Sequence, residues 1–268
     1  MAVAEACRNL VCSGARPLAA TNCLNFASPE DPEIMWTFSE VVDGITEACE
    51  MFGTPITGGN VSFYNETLGA QIMPTPVIGM VGVLDDPSHR MDLAFKQTGH
   101  VVLCLGTTGP ELGGSEYLEK IHGLKMGPLP ELDLKREFNL QGACRDMIME
   151  GLLASCHDVS DGGLAVALAE CCFASKIENG AVEIVLTSSV RLDALLFGES
   201  QSRIIVSVEP AKSDRIREIA EKWSTPCTQI GRVCAGDFVI TVNDQEIIRM
   251  DIDTLRAQWR DSLEKALR

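Results

Sequence analysis

The sequence predicts a mixed α/β protein, α/β or α+β in class, that folds as two domains. Helical and strand patterns intermix along all 268 residues, which is typical of two-layer architectures. An apolar fraction of 46% provides enough side chains for large cores. A polar segment at residues 85–92 contains a proline and separates two differently organised regions, so we predict domains at residues 1–90 and 91–268.

In the first domain we predict two helices, at residues 2–11 and 32–52. The first helical pattern starts at once, with no cap or lead-in, so we expect this α/β domain to be truncated at its start. The strand patterns of this domain lie at residues 17–21, 55–57, 61–64 and 75–84.

The second domain is predicted to mix strands and helices in the same way. Its strand patterns lie at residues 100–105, 154–158, 182–186, 203–208 and 238–242. Its helical patterns lie at residues 134–154, 164–174, 212–223 and 252–267.

Composition excludes several classes of protein. Acidic residues outnumber basic ones by 38 to 22, and a net charge of −16 repels nucleic acid and anionic membrane. Eleven cysteines without a Cys-x-x-Cys pair favour neither a disulfide framework nor a zinc site, so a reducing cytoplasm is the expected setting. We find no apolar run long enough to span a membrane and no secretion signal.

The stretch from Thr54 to Phe63, Thr-Pro-Ile-Thr-Gly-Gly-Asn-Val-Ser-Phe, combines two glycines, an amide and two hydroxyls after a helical pattern. Adjacent glycines let the backbone approach a ligand and offer N–H groups to phosphate, while Asn60 and Ser62 add an oxygen ligand and a hydroxyl. The same residues are also ordinary turn chemistry, which spacing alone favours.

A second polar stretch, His-Asp-Val-Ser-Asp-Gly-Gly-Leu, runs from His157 to Leu164. Asp158 and Asp161 could bind a hard cation such as Mg²⁺. The alternative is that Ser160 or Asp161 caps the following helix, and both can hold together. His157 alone is more often a hydrogen-bonded core residue than a base.

Three further stretches bring polar groups together. Residues 21–26 predict either a ligand site at a strand end or an Asx turn, and residues 197–203 could bind an amide or ribose although a polar loop is the default interpretation. The glycine-rich residues 106–115 lack the lysine of a phosphate-binding Walker loop. We find neither a G-x-S-x-G element nor a metal-binding histidine pair.

Taken together, these stretches resemble the second half of phosphoribosylformylglycinamidine synthase II, the small form, in the aminoimidazole ribonucleotide synthetase-like superfamily. The resemblance covers essentially the whole chain, and its motifs lie at residues 2–9, 24–26, 57–66, 74–76, 157–163 and 197–203. It implies an N-terminal α/β domain that pairs its sheet with a counterpart, followed by a C-terminal domain that covers the nucleotide.

The resemblance also implies a reaction. The amide oxygen of formylglycinamide ribonucleotide is phosphorylated by ATP, and ammonia then displaces the phosphate to give formylglycinamidine ribonucleotide in purine biosynthesis. Mg²⁺ is implied because phosphoryl transfer depends on positioning and charge neutralisation. Carried over by position, Asn22, Gly59 and Ser160 would contact ATP, Asn60 and Asp158 would bind Mg²⁺, and Ser62 would contact the ribonucleotide.

The chain departs from the family at Asn22, where small-form enzymes usually carry aspartate. An amide keeps the oxygen but loses the charge, so nucleotide or metal affinity could fall. The family's catalytic histidine lies in the other half, so we assign no catalytic residue here and expect little activity from this chain alone. The implied partners are the missing N-terminal half, a glutaminase subunit and a small accessory subunit, and an isolated half is expected to self-associate.

Two other interpretations stay open. The chain could be a non-catalytic half that binds nucleotide or serves as a scaffold, or another member of the superfamily such as a selenophosphate or thiamine-phosphate enzyme. The Thr-Gly-Gly-Asn-Val-Ser-Phe-Tyr-Asn-Glu run at residues 57–66 disfavours the latter.

Overall fold

The computed structural model describes residues 1–267 and divides the chain into two compact units, Met1–Arg90 and a second unit that begins at Met91. The first unit contains two α-helices and five strands, with a short 3-10 helix at Pro87–His89. In chain order they are α1 (Ala2–Cys12), β1 (Arg16–Asn25), α2 (Pro32–Phe52), β2 (Ile56–Ser62), β3 (Glu66–Thr67), β4 (Ala70–Gln71) and β5 (Thr75–Val83).

Helix α2 has clear local signals at both ends. The Asp31 side chain accepts a hydrogen bond from the Glu33 N–H at 2.9 Å, and Pro32 occupies the first turn, where its missing N–H costs nothing. Gly53 ends the helix in the left-handed conformation at φ 65°. These signals give the helix the boundaries that the sequence predicts.

The main sheet of the first unit has the strand order β2-β1-β5, so β2 is an edge strand. Helix α1 covers one face, where the Cys7 Sγ lies 3.2 Å from the Met80 Sδ. The other face is open. Residues alternate along β5 between half-buried and exposed, and the side chains of Val77 and Val81 are 54% and 63% exposed.

The second unit is built on a seven-stranded mixed sheet with the order β12-β11-β8-β10-β6-β9-β7. Its strands are β6 (Val101–Leu105), β7 (Leu153–Asp158), β8 (Gly180–Leu186), β9 (Ile204–Val208), β10 (Cys227–Ala235), β11 (Asp237–Val242) and β12 (Gln245–Asp251). Its helices are α3 (Glu116–His122), α4 (Leu134–Met149), α5 (Gly163–Ala174), α6 (Leu192–Phe197), α7 (Ser213–Lys222) and α8 (Ile252–Ala266).

The core of the second unit lies between this sheet and helix α5. Eight of the twelve α5 residues are buried, and they pack with apolar side chains of β8, β10 and β11 and with Ile252 at the start of α8. Burial on this scale is the main favourable contribution to folding. The polar stretches of this unit lie at the ends of β6, β9 and the edge strand β7.

Several local predictions were wrong. Helix α4 ends at Met149 rather than near residue 154, because Gly151 takes a left-handed φ of 64°. Residues 58–60, expected as a glycine turn between two strand patterns, instead continue the single strand β2. Six of the labelled elements among residues 1–267 were not predicted at all: α3, α6, β3, β4, β10 and β12.

Candidate active site

The Thr-Gly-Gly-Asn-Val-Ser segment lies in the edge strand β2, where it pairs in parallel with β1. The Phe26 N–H donates to the Ser62 carbonyl at 2.9 Å, so Ser62 directs its backbone groups toward β1. Alternation along the strand therefore turns the N–H groups of Gly59 and Val61 toward the outer edge. A glycine at such an edge leaves its backbone accessible to a phosphate.

The residues predicted to bind ligands in the first unit lie on opposite faces of this sheet. Gly59 pairs with Asn22, and a Cβ atom on Gly59 would lie 2.0 Å from the Asn22 Oδ1, so both belong to one face. Asn60 pairs with Cys23, and its Nδ2 lies 3.9 Å from the Cys23 Sγ on the opposite face. Ser62, two residues further on, shares the face of Asn60.

Asn65 holds the Ser62 end of β2 in place. Its Nδ2 donates to the carbonyls of Phe26 and Ser62, each at 2.9 Å, and lies 3.1 Å from the Ser62 Oγ. Tyr64, between Ser62 and Asn65, has a positive φ of 59°, an uncommon conformation for a non-glycine residue. These contacts fix the position of the Ser62 hydroxyl.

In the second unit, three polar stretches meet at one end of the sheet. Strand β9 pairs antiparallel with both β6 and β7, and Ile204 at its start lies opposite Leu105 and Asp158. The segments that follow β6 and β7 therefore lie at the same end of the sheet as the segment that precedes β9. These segments are residues 106–115, 159–163 and 197–203.

Asp158 is 4% exposed at the end of β7, and Ser160 is half-buried two residues later. The neighbouring His157 directs its Nε2 to the Glu170 Oε2 at 2.9 Å, while its Nδ1 lies 3.6 Å from the Asp158 Oδ1. The histidine is thus held between two carboxylates, which agrees with its interpretation as a hydrogen-bonded residue rather than a free base.

The capping alternative for Ser160 and Asp161 is wrong. The N-cap of α5 is Gly162, which has a left-handed φ of 76° and no side-chain cap. Its N–H donates to the Glu199 Oε1 at 2.9 Å instead, and the same oxygen accepts from the Glu116 N–H at 2.8 Å. Glu199 thus joins the starts of α5 and α3, and it neutralises their N-terminal dipoles.

The Arg203 side chain connects residues 197–203 with residues 106–115. It is fully buried, and it donates to the carbonyls of Gly198 and Ser200 and to the Thr108 Oγ1 at distances of 2.6, 2.9 and 3.1 Å. Burial raises the pKa of the Cys104 thiol on the adjoining strand, and the Arg203 charge acts in the opposite direction.

Two glycines at this end of the sheet lie very close to the backbone of residues 197–203. A Cβ on Gly106 would lie 2.0 Å from the Ser202 carbonyl oxygen, and one on Gly163 would lie 2.7 Å from that of Gly198. Both glycines also have positive φ values. No other residue type fits either position without moving the backbone.

Two family models match most of the chain. The N-terminal domain of AIR synthase related proteins matches residues 1–84, and the C-terminal domain of the same proteins matches residues 97–243. The chain belongs to the AIR synthase related protein family. The resemblance inferred from the sequence motifs is confirmed, and so is the mixed α/β class.

Curated relatives within this family are more similar still. The phosphoribosylformylglycinamidine synthase subunit PurL of Moorella thermoacetica is 47% identical over 263 residues, which cover 98% of this chain and 36% of that protein. The subunit of the same name from Symbiobacterium thermophilum is 49% identical over 236 residues, covering 88% and 30%. The chain spans about a third of the length of the curated relatives it matches.

Several solved structures share the fold of this chain. Thermotoga maritima PurL complexed with FGAR matches with a TM-score of 0.72 at 22% identity, covering 95% of this chain and 42% of that one. A chain of a HypE–HypF complex matches with a TM-score of 0.69 at 18% identity, covering 93% of this chain and 83% of that one. At such identities the likeness extends to the fold alone.

Sequence reasoning missed two residues of this family member's polar edges. Glu199 and Arg203 lie in the stretch at residues 197–203, but their roles depend on segments up to 95 residues away in the sequence. A charged residue beside glycine before a buried strand was the available signal.

None of the helices in residues 1–267 is long and apolar enough to cross a membrane.

Proposed function

We propose that the chain supplies part of the active site of an ATP-dependent ligase that converts formylglycinamide ribonucleotide to formylglycinamidine ribonucleotide. The observation that carries this proposal is 42–49% identity to synthase subunits over 88–100% of the chain, together with the polar edge strand β2. No residue of this chain is assigned a catalytic role.

In the first unit, the outward N–H of Gly59 binds a phosphate of ATP, and Asn22 contacts the nucleotide from the same face of the sheet. Asn60 and Ser62 serve the opposite face, where Asn60 binds Mg²⁺ through its amide oxygen and the Ser62 hydroxyl contacts the ribonucleotide. The absence of a side chain at Gly58, where a Cβ atom would meet nothing within 4 Å, leaves the edge open between the two faces, which supports one ligand group passing across it.

The donor set of β2 fits Mg²⁺. Asn60 is exposed, and within residues 1–267 its side chain makes only the weak contact with Cys23, so its oxygen is accessible. Mg²⁺ prefers oxygen ligands that include substrate phosphates. When bound, Mg²⁺ would neutralise charge on the transferring phosphoryl group. What Asn60 itself does is orient that ion on the face shared with Ser62.

In the second unit, Asp158 is proposed as a further Mg²⁺ ligand and Ser160 as a nucleotide contact. The burial of Asp158 supports the first role, since a carboxylate removed from water gains from a bound cation. The contacts of Glu199 with Gly162 and Glu116 keep the turn that carries Ser160 in one position.

The proposed partners are the rest of the synthase, a glutaminase subunit that supplies ammonia and a small accessory subunit. A T. maritima structure described as PurLQS, similar to this chain in fold, supports an assembly of that kind. The open face that includes Val77 and Val81 supports pairing with another sheet, or self-association when none is present. Eleven free cysteines favour a cytoplasmic location.

A chimera tests the proposed function. The chain replaces the matching third of the M. thermoacetica subunit, and ATP hydrolysis that depends on formylglycinamide ribonucleotide and ammonia is measured. We expect activity in the chimera, loss of most of it on Asn60→Ala, and no comparable turnover by this chain alone.

The matched control for the chimera is Gln229→Ala, which removes an exposed amide from a strand of the second unit. A correctly folded chimera that binds nucleotide without turnover would favour the scaffold interpretation instead. Full turnover by this chain alone would refute the assignment of catalysis to the rest of the synthase.

A further inference from the structure

Asn65 connects the ends of the two strands that carry the proposed ligand-binding residues of the first unit. Its Nδ2 donates to the carbonyl of Phe26, which follows β1, and to the carbonyl of Ser62 at the end of β2, each at 2.9 Å. The same side chain lies beside the Ser62 hydroxyl, whose Oγ is 3.1 Å from its Nδ2 and 3.2 Å from its Oδ1. One amide thus contacts both strands and the hydroxyl proposed to bind the ribonucleotide.

The backbone around Asn65 is held against the segment that follows β1. The Asn65 N–H donates to the Phe26 carbonyl at 3.2 Å, and the Tyr64 N–H donates to the Ala27 carbonyl at 3.0 Å. The Phe26 side chain is fully buried, and its ring meets that of Phe38 edge to face with 5.2 Å between the centroids. The Asn65 amide therefore extends from a packed part of the first unit.

The hydrogen atoms of this group can be assigned from the chemistry of its partners. Carbonyl oxygens only accept, so the Asn65 atom that faces the carbonyls of Phe26 and Ser62 is the amide nitrogen, and its two hydrogens serve those two bonds. No amide hydrogen is then left for the Ser62 Oγ. The hydroxyl donates its own hydrogen to the Asn65 Oδ1, which only accepts. The lone pairs of the Ser62 Oγ are left for a ligand.

We propose that Asn65 is a positioning residue that holds the Ser62 hydroxyl as a hydrogen-bond acceptor toward a donor group of the ribonucleotide. This inference rests on the proposed function, in which Ser62 contacts the ribonucleotide. At neutral pH a phosphate presents acceptor oxygens, whereas ribose hydroxyls and amide N–H groups donate. Ser62 therefore contacts the ribose or the amide part of the substrate rather than its phosphate.

A double-mutant cycle in the chimera separates positioning from a purely structural role. Ser62→Ala removes the hydroxyl and Asn65→Ala lets it rotate, so each should raise the KM for formylglycinamide ribonucleotide about tenfold and change kcat little. The double variant should stay within about twofold of the weaker single variant, because Asn65 acts through the hydroxyl. If Asn65 only stabilised the strand, its effect would persist without the hydroxyl and the two effects would multiply.

The KM for ATP is the internal control. Asn22 and Gly59, which are proposed to contact ATP, lie on the opposite face of the sheet, so this KM should change less than about twofold in all three variants. The matched control variant is Gln71→Ala, which removes an exposed amide from β4. It should leave both KM values within about twofold of the parent chimera.

The direction of the Ser62 hydrogen bond is tested with the ribonucleoside that lacks the phosphate. Ser62→Ala should lower kcat/KM by about the same factor for the ribonucleoside as for the ribonucleotide, because the contact is to the ribose or the amide part. A loss confined to the ribonucleotide would place Ser62 at the phosphate and overturn its assignment as an acceptor. This comparison does not depend on whether Asn65→Ala folds.

Failure of this inference is distinguishable from failure of the proposed function. A parent chimera without turnover would refute the proposed function and the role of Asn65 with it. An active parent in which Asn65→Ala leaves the KM for the ribonucleotide unchanged would overturn the positioning role alone. So would an active parent in which the effects of Ser62→Ala and Asn65→Ala multiply.

Discussion

Gly59 and Asn22 lie side by side on parallel strands, so close that a Cβ atom on Gly59 would lie 2.0 Å from the Asn22 Oδ1 and 2.6 Å from its carbonyl oxygen. A Cβ atom on the neighbouring Gly58 would have no other heavy atom within 4 Å. Adjacent glycines therefore have different constraints. Gly59 is required by packing, and Gly58 leaves the edge of the sheet open.

This difference predicts opposite effects of two alanine substitutions. Gly59→Ala should destabilise the fold by about 1–3 kcal/mol, because the methyl group overlaps a side chain and a backbone oxygen. Gly58→Ala should be neutral or stabilising by about 0.5–1 kcal/mol, because alanine restricts the unfolded chain and meets nothing. Urea unfolding of both variants checks this, and equal losses would contradict the packing argument.

Glu199 provides a second prediction. Glu199→Ala leaves the N–H groups of Gly162 and Glu116 without their carboxylate, so we expect a loss of about 1–2 kcal/mol and faster hydrogen exchange at both amides. Glu199→Gln keeps an acceptor oxygen and should lose less. The control Glu131→Ala should change neither quantity, and unchanged exchange in Glu199→Ala would argue against its bridging role.

His100 predicts a dependence of stability on pH. Burial is the largest cause that lowers its pKa, Lys212 lowers it further and Glu209 opposes them, while its Nδ1 has no hydrogen-bond partner among residues 1–267. The folded-state pKa is then below the unfolded value of about 6.5, so the unfolded chain binds more protons as the pH falls through that range. Stability that is present at neutral pH is therefore lost on acidification.

The variant His100→Gln removes this titration. Urea unfolding of the parent and the variant at about pH 7.5 and about pH 5.5 isolates the effect of one group, because the other titrations are shared. We expect the parent to lose more stability than the variant between these pH values. Identical losses in the parent and the variant would mean that His100 is equally protonated in the folded and unfolded states.

The predictable parts of the fold were those with local signals. Helix α2 was predicted with the correct ends because Pro32 and Gly53 mark both of them. The middle of strand β2, residues 58–60, was mistaken for a turn because Gly-Gly-Asn favours turns locally, whereas pairing with β1 decides the conformation. Strand β10 was missed, since Gly231 and polar residues interrupt its pattern.

The candidate site was predictable as a set of stretches but not as an arrangement. The sequence does not specify that β9 lies between β6 and β7, so the meeting of residues 106–115, 159–163 and 197–203 could not be inferred. The separation of Asn22 from Asn60 by the plane of the sheet also depends on strand register. That register follows from pairing between strands far apart in the sequence.

Calorimetric titration of ADP with Mg²⁺ into the purified chain tests most directly whether the edge strand β2 binds nucleotide and metal. The parent should bind, Asn60→Ala should lower the affinity at least about tenfold in the presence of Mg²⁺, and Gln229→Ala should leave it unchanged. Equal affinities for all three chains, or binding that does not depend on Mg²⁺, would contradict the account.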